Sequence, residues 1–205
     1  MASIEVIGDY INSIKPDVLF LQEVDKNTER SFHKDQFKIL KKYCGFNYGH
    51  FCRTVFFEDY GEYGLALYSK NDCLKNIKYI NISVDNDKEP RYAICGEITL
   101  FENVIGNLFC VHLSNNKIKS LIQLEYLKKH YFLKPNSIFL GDFNLSTDEI
   151  EKLGFEQFDH TFSWPYPLQN IRIDHIFTTI KDCEYTLKTL NSNGLSDHSS
   201  VLIEL

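Results

Sequence analysis

No two of the six cysteines in this 205-residue chain (Cys44, Cys52, Cys73, Cys95, Cys110 and Cys183) follow a C-x-x-C spacing. No histidine pattern accompanies them, which excludes a structural zinc site. The N-terminus lacks a charged-then-apolar leader, so the cysteines are expected to be reduced core thiols rather than a disulfide set. No apolar run approaches the roughly 18 residues of a membrane span. G-x-S-x-G, the P-loop and the dinucleotide glycine fingerprint are all missing, which sets aside three large enzyme classes. Basic charge is in deficit, 22 Lys and Arg against 28 Asp and Glu for a net charge of −6. That disfavours a broad electrostatic grip on duplex nucleic acid but leaves room for a local basic groove. No repeat, low-complexity tract or proline- and glycine-rich linker divides the chain. These absences describe a single cytoplasmic domain over residues 1–205, nuclear residence being the alternative, expected to be a monomer.

What is present is 43% hydrophobic and 14% aromatic, enough for a substantial core. Ile4, Ile7, Ile11 and Ile14 recur at helical spacing until Pro16, and "DVLFLQ" then reads as a buried strand. A second helix is expected around Phe37 to Tyr43. "YGLALYSK", "YAICGEITLF" and "VIGNLFCVHL" follow as strands, bounded by Gly, Asn or Asp. In "KIKSLIQLEYLKKHYF" the residues Ile118, Leu121, Ile122, Leu124 and Leu127 make one broad helical face. "SIFLGDFN", "RIDHIFTTI" and "SDHSSVLIEL" complete the set as strands. This order belongs to the α/β (α+β) class with two packed sheets.

Polar residues gather at the strand ends: Glu23 in "FLQEVD", His112 in "FCVHLS", Asp142 and Asn144 in "FLGDFN", Asp197 and His198 in "LSDHSS". Asp174 in "RIDHIF" shares a strand face with Arg172. Taken singly, each has a structural explanation: a solvated strand end, a turn, a hydrogen-bonded core histidine. Gly141 strengthens the functional alternative, because a glycine after a buried strand permits the backbone angles that aim the next acid. Together these residue types suit phosphoester hydrolysis. Glu23 and Asp197 offer hard oxygen ligands for Mg2+ or Mn2+. His198, held by Asp174, is the candidate general base; Asp142 and Asn144 would orient water and bind a phosphate oxygen, and His112 would donate to the phosphate. Adjacent residues on a strand point apart, so Asp197 and His198 can serve one site only if the chain leaves strand geometry there.

In this order, "KPDVLFLQEV", "CVHLS", "FLGDFNLS", "TFSWPYPLQNIRIDHIF" and "LSDHSSVLIEL" resemble the endonuclease/exonuclease/phosphatase superfamily of deoxyribonuclease-like phosphoesterases. The resemblance implies a four-layer sandwich, two mixed β-sheets flanked by helices, with the site at one rim. It implies the same roles: Glu23 for the metal, Asp142 and Asn144 as the "GD-x-N" pair, His112 on the phosphate, Asp197 and His198 as the terminal dyad oriented by Asp174. It adds Glu62 as support for His112, and Arg91 as either a substrate contact or a partner of a neighbouring acid. Only 20 residues precede Leu21, and Asn12 falls in a helix, so the superfamily's first, asparagine-bearing strand is expected to be missing and the domain N-terminally incomplete. Ser120 stands where the superfamily often has an arginine. The implied substrate is a phosphodiester, in single-stranded or modified nucleic acid or in a phospholipid or inositol head group. The competing expectation is a catalytically silent binding or scaffold domain without its metal site. Phe162, Trp164 and Tyr166 in "TFSWPYP" are either a loop packed on the core or a stacking platform for a flat substrate group.

Overall fold

The computed structural model describes residues 3–58, 60–100, 104–132, 135–155, 161–180 and 184–205. Helix α1 (Ile4–Ile14) begins where the Ser3 side chain accepts from Val6 N and ends at Lys15 in the left-handed conformation. Strand β1 (Val18–Lys26) and helix α2 (Gln36–Tyr43) follow, α2 being capped by Asp35. Next come β2 (Tyr48–Phe56), β3 (Glu62–Ser69), β4 (Leu74–Asn81), β5 (Tyr92–Thr99) and β6 (Ile105–His112). Helix α3 (Lys117–Leu127) leads through a π-helical turn, Lys128–Phe132, to β7 (Ser137–Asp142). Helix α4 (Thr147–Lys152), β8 (Asp174–Thr178), β9 (Thr186–Leu190) and β10 (Ser200–Glu204) complete the chain.

The strands form a three-stranded sheet β1-β3-β2, a five-stranded sheet β4-β5-β6-β7-β8 and a pair β10-β9. All neighbours are antiparallel except β6 and β7, whose parallel pairing is bridged by α3. Alternation along the strands sorts the core into layers. On β3, Leu65 and Leu67 face the second sheet while Ala66 and Tyr68 face α1 and α2. On β6, Leu108 and Cys110 point back at the first sheet and Phe109 and Val111 point at α3 and α4. The result is the expected four layers: helices, sheet, sheet, helices. None of the described helices is long and apolar enough to cross a membrane.

Three expectations need correction. The α3 stretch does not bury one broad face: Leu124 and Leu127 are buried, but Ile118 is 70% and Ile122 47% exposed. Asp174 opens β8 rather than lying inside a strand, and Arg172 precedes it, its Nε donating to the Asp174 carbonyl at 3.2 Å. Strands β2, β4 and β9 and the short α4 were not among the expected elements. Cys44, Cys52, Cys73, Cys95 and Cys110 are reduced cysteines, as expected; Cys183 lies outside the described residues.

Candidate active site

Strand register builds the centre of the site. His112 ends β6 opposite Asp142, the last residue of β7, and Asp142 faces Asp174, the first residue of β8. Three adjacent strand ends thus place an imidazole and two carboxylates side by side. Gly141 makes this possible: its φ is +137°, and a Cβ there would lie 1.9 Å from the Val111 carbonyl oxygen. Asn144, itself at φ +50°, donates its backbone N–H to Asp142 Oδ1 at 2.8 Å and its amide to the Leu113 carbonyl at 3.0 Å. That turn locks the orientation of the Asp142 carboxylate.

His198 comes from the segment before β10, outside strand geometry as the shared-site reading requires, and its Nδ1 lies 2.8 Å from Asp174 Oδ2. Ligand atoms of Asp142, Asp174 and His198 all lie within 4.8 Å of one another. Burial works against the imidazolium, but the hydrogen bond and charge of Asp174, then the charges of Asp142 and Asp197, outweigh it and lift His198 to about 9. Asp142 is pushed up to about 7, first by burial and then by the Asp174 charge. His112, 3.5 Å from Asp142, is held down at about 3 by burial and by the charges of Arg91 and His198, so it is a neutral imidazole at physiological pH.

Glu23 sits at a bulge in β1 where the register with β3 shifts between Leu21 and Val24, and its φ of +59° turns it out of the strand. The carboxylate is exposed and hydrogen-bonded by Tyr63. Asp197 is exposed too, its carbonyl accepting from Tyr166 N at 2.8 Å. Glu23, His112, Asp142, Asp174, Asp197 and His198 all line one cavity of about 450 Å³. Among the described residues, however, Glu23 and Asp197 belong to no tight trio of ligand atoms; Asp142, Asp174 and His198 do.

Arg91 is 7% exposed. One terminal nitrogen, Nη2, meets Glu89 at 3.3 Å, while Nη1 is buried with no hydrogen-bond partner among the described residues. The Trp164 ring lies 6.4 Å from the His198 imidazole at 48°, forming a half-buried wall beside the dyad. Glu62 does not support His112: its carboxylate binds Lys26 at 2.5 Å and Arg53 at 3.2 Å on the outer side of the first sheet. Sequence reasoning missed Ser163, Glu89 and Tyr63. Ser163 is fully buried and its Oγ accepts from Ile173 N and Asp174 N at 3.2 Å each, while its carbonyl takes Ser199 N at 2.8 Å. It lies one residue from the Trp164 that was noticed, but nothing in "TFSWPYP" shows which side chain turns inward.

No curated protein matches the chain in sequence. Among solved structures, an endonuclease/exonuclease/phosphatase from Beutenbergia cavernae superposes with a TM-score of 0.77 at 17% identity, over 99% of this chain and 66% of that one. A family protein from Leptotrichia buccalis gives 0.75 at 17% identity, over 99% and 92% of the two chains. TDP2 of D. rerio, complexed with a single-strand DNA product, gives 0.66 at 18% identity, over 97% and 89%. These likenesses show a shared fold, with the strand ends described above at its rim. A family model matches residues 1–198, and the chain belongs to the Endonuclease/Exonuclease/phosphatase family.

Proposed function

We propose that the chain is a divalent-metal-dependent phosphodiesterase acting on single-stranded or otherwise unpaired nucleic acid. The observation that carries this reading is the convergence of Glu23, Asp142, Asp174, Asp197, His112 and His198, from five separate parts of the chain, on one cavity. The family is one of phosphoesterases that typically use a divalent metal, and the donor set here fits such an ion. The carboxylates of Glu23 and Asp197 are hard oxygen donors, and a cation held by them would also ease the repulsion between the buried Asp142 and Asp174. Glu23 and Asp197 would hold Mg2+ or Mn2+, which when bound would supply polarisation of the phosphoryl oxygens.

The acid and base roles follow from two groups whose ionisation the site drives in useful directions. With Asp142 at about 7 and His198 at about 9, Asp142 is the group poised to take a proton from water, and His198 carries one to give. This reverses the base role expected of His198. The oxygen of water attacks phosphorus as its proton passes to Asp142, the P–O ester bond breaks, and the His198 imidazolium protonates the leaving oxygen. Asp174 and Asn144 hold these two groups in place. Arg91, whose charge reaches His112 and Asp142, adds positive charge on the buried side of the site. Trp164 offers a ring face beside His198, which suits stacking of an unpaired base, and the likeness to TDP2 solved with a DNA product supports the same class.

The test is hydrolysis of bis(p-nitrophenyl) phosphate and of a single-stranded oligonucleotide in Mg2+. Asp142→Asn, His198→Ala and Glu23→Ala should each cost about 100-fold or more in kcat, and Trp164→Ala should weaken oligonucleotide cleavage more than cleavage of the small ester. Activity that survives chelation and all three substitutions would overturn the reading.

A further inference from the structure

The connection from β4 to β5, residues 82–91, faces solvent along most of its length, yet the side chain of Asp87 within it is only 5% exposed. Its two oxygens are filled from two directions. From its own turn, Val84 N donates to Oδ2 at 2.9 Å. From the junction of β6 and α3, Ser114 Oγ and Lys119 Nζ reach Oδ1, each at 3.1 Å, and Gln123 Nε2 reaches Oδ2 at 3.1 Å. Burial works against the charge, but the donors outweigh it and hold the carboxyl below the ordinary aspartate range. A carboxylate is acceptor-only, so it satisfies all of these donors at once, where an amide would turn its NH2 toward one of them.

Both segments that Asp87 joins lead into the active site. Gln123 accepts Ser114 N through Oε1 at 2.8 Å, and since that N–H can only donate, the Nε2 end is the one left to meet Asp87. Ser114 follows Leu113, whose N–H donates to the Asp142 carbonyl at 2.9 Å and whose carbonyl accepts the Asn144 amide at 3.0 Å; His112 is the residue before it. On the other side, the turn ends at Arg91, whose carbonyl accepts Ile82 N and whose N–H donates to Ser83 Oγ, both at 2.9 Å. The Arg91 charge in turn reaches His112 and Asp142.

We propose that Asp87 is a positioning residue for hydrolysis: it clamps the β4–β5 turn onto the β6–α3 junction and, through Gln123 and Ser114, fixes the Leu113 peptide that holds Asn144 and, with it, the Asp142 carboxylate. An acid that served only to close its own turn would need the Val84 bond and could stay in water. Asp87 instead gives up its hydration to bind three side chains from another part of the chain. It touches no reacting atom; its effect is carried by the bonds at Leu113 and Asn144, where a small displacement moves the group that takes the proton from water. The kinetic consequence rests on the phosphodiesterase reading, whereas the clamp and its hold on Asn144 do not.

The test is a charge swap between Asp87 and Gln123, read by kcat and by the NMR shift and solvent exchange of the Asn144 side-chain amide. Asp87→Asn turns an NH2 toward the Gln123 NH2, and Gln123→Glu turns a carboxylate toward the Asp87 carboxylate. Each should lower kcat on bis(p-nitrophenyl) phosphate by about tenfold or more, with a smaller change in KM, and should shift the Asn144 amide and speed its exchange. In Asp87→Asn/Gln123→Glu an amide again donates to a carboxylate, and both readouts should return most of the way to the parent. Unchanged backbone exchange at Phe109 and Phe139, buried in the five-stranded sheet, certifies that each variant is folded. If Asp87→Asn fails that check, Lys119→Met, which removes the donor nearest the surface, should show the same change at smaller size, and an unmoved Asn144 amide there overturns the proposal. It is equally overturned if the single substitutions lower Tm while kcat and the Asn144 amide hold, or if the double variant is no better than the poorer single. A parent that does not hydrolyse the ester sinks the activity reading, and the Asn144 amide then decides the clamp by itself.

Discussion

At Gly141 a single missing Cβ decides whether the site exists. With φ at +137° and the Val111 carbonyl 1.9 Å from where a Cβ would stand, Gly141→Ala must push β6 and β7 apart just where His112 meets Asp142. Urea denaturation should show a loss of at least about 2 kcal/mol. Asp142 carries the opposite kind of tension. Its carboxyl sits at about 7 in the fold against 3.8 for an ordinary aspartate. A carboxyl raised in this way contributes stability that is fully present below pH 3.8 and is lost as pH rises through about 7. In metal-free buffer Asp142→Asn should therefore raise Tm at pH 8 and leave it nearly unchanged at pH 4, while abolishing hydrolysis. A lower Tm for the variant at pH 8 would refute the burial account. The glycine and the acid were both legible in "FLGDFN", because a buried strand that breaks into Gly and Asp has few structural uses. Glu62 was not correctly legible: its neighbours Lys26 and Arg53 come from other strands, and no spacing rule reveals such partners.

Elements were readable where burial imposes a period. The isoleucines of α1 and the apolar runs of β1, β3, β5, β6 and β7 each face a core on at least one side, so their patterns survive in the sequence. Strand β4 shows the converse: of "LKNIKYIN" only Leu74 is buried, and the remaining residues carry a solvent-facing composition that reads as loop. Strand β9 is half exposed for the same reason. The loop from Thr161 to Ile171 is irregular but not loose. The Ser163 hydroxyl oxygen accepts from both N–H groups leading into β8 and its carbonyl accepts from Ser199 N, beside His198, so one buried residue joins the two halves of the Asp174–His198 pair. Ser163→Ala leaves two backbone donors without a partner. The expected result is a fall in kcat with KM nearly unchanged, and an imidazole titration of His198, followed by NMR, that moves down from about 9 as the Asp174 contact loosens. Ser163→Thr, which keeps the hydroxyl, should restore most of both. A loss of kcat with the His198 titration unmoved would mean that Ser163 acts on folding alone.

Across the whole molecule, the architecture gathers acidic charge faster than it neutralises it. The chain carries a net charge of −6, and its cavity collects Glu23, Asp142, Asp174 and Asp197 against one imidazolium, with Arg91 nearby but already engaged with Glu89. Two sheets packed face to face bring these acids to one rim, and neither sheet alone could: Glu23 belongs to the first, Asp142 and Asp174 to the second, and Asp197 to the segment before β10. Such a site in metal-free solution is held together against its own repulsion, so a divalent cation that binds only the folded form must stabilise it by mass action. Titrating the chelator-treated protein with Mg2+ should raise Tm in a saturable way, and at saturation the Asp142 titration should fall below about 7, because a cation favours the carboxylate. Glu23→Ala should shift the Mg2+ midpoint to higher concentration by about tenfold or more, while its Tm without metal matches or exceeds that of the parent, since one repelling charge is gone. Equal stabilisation of parent and Glu23→Ala by Mg2+ would place the cation away from β1, on the Asp142, Asp174 and His198 trio alone.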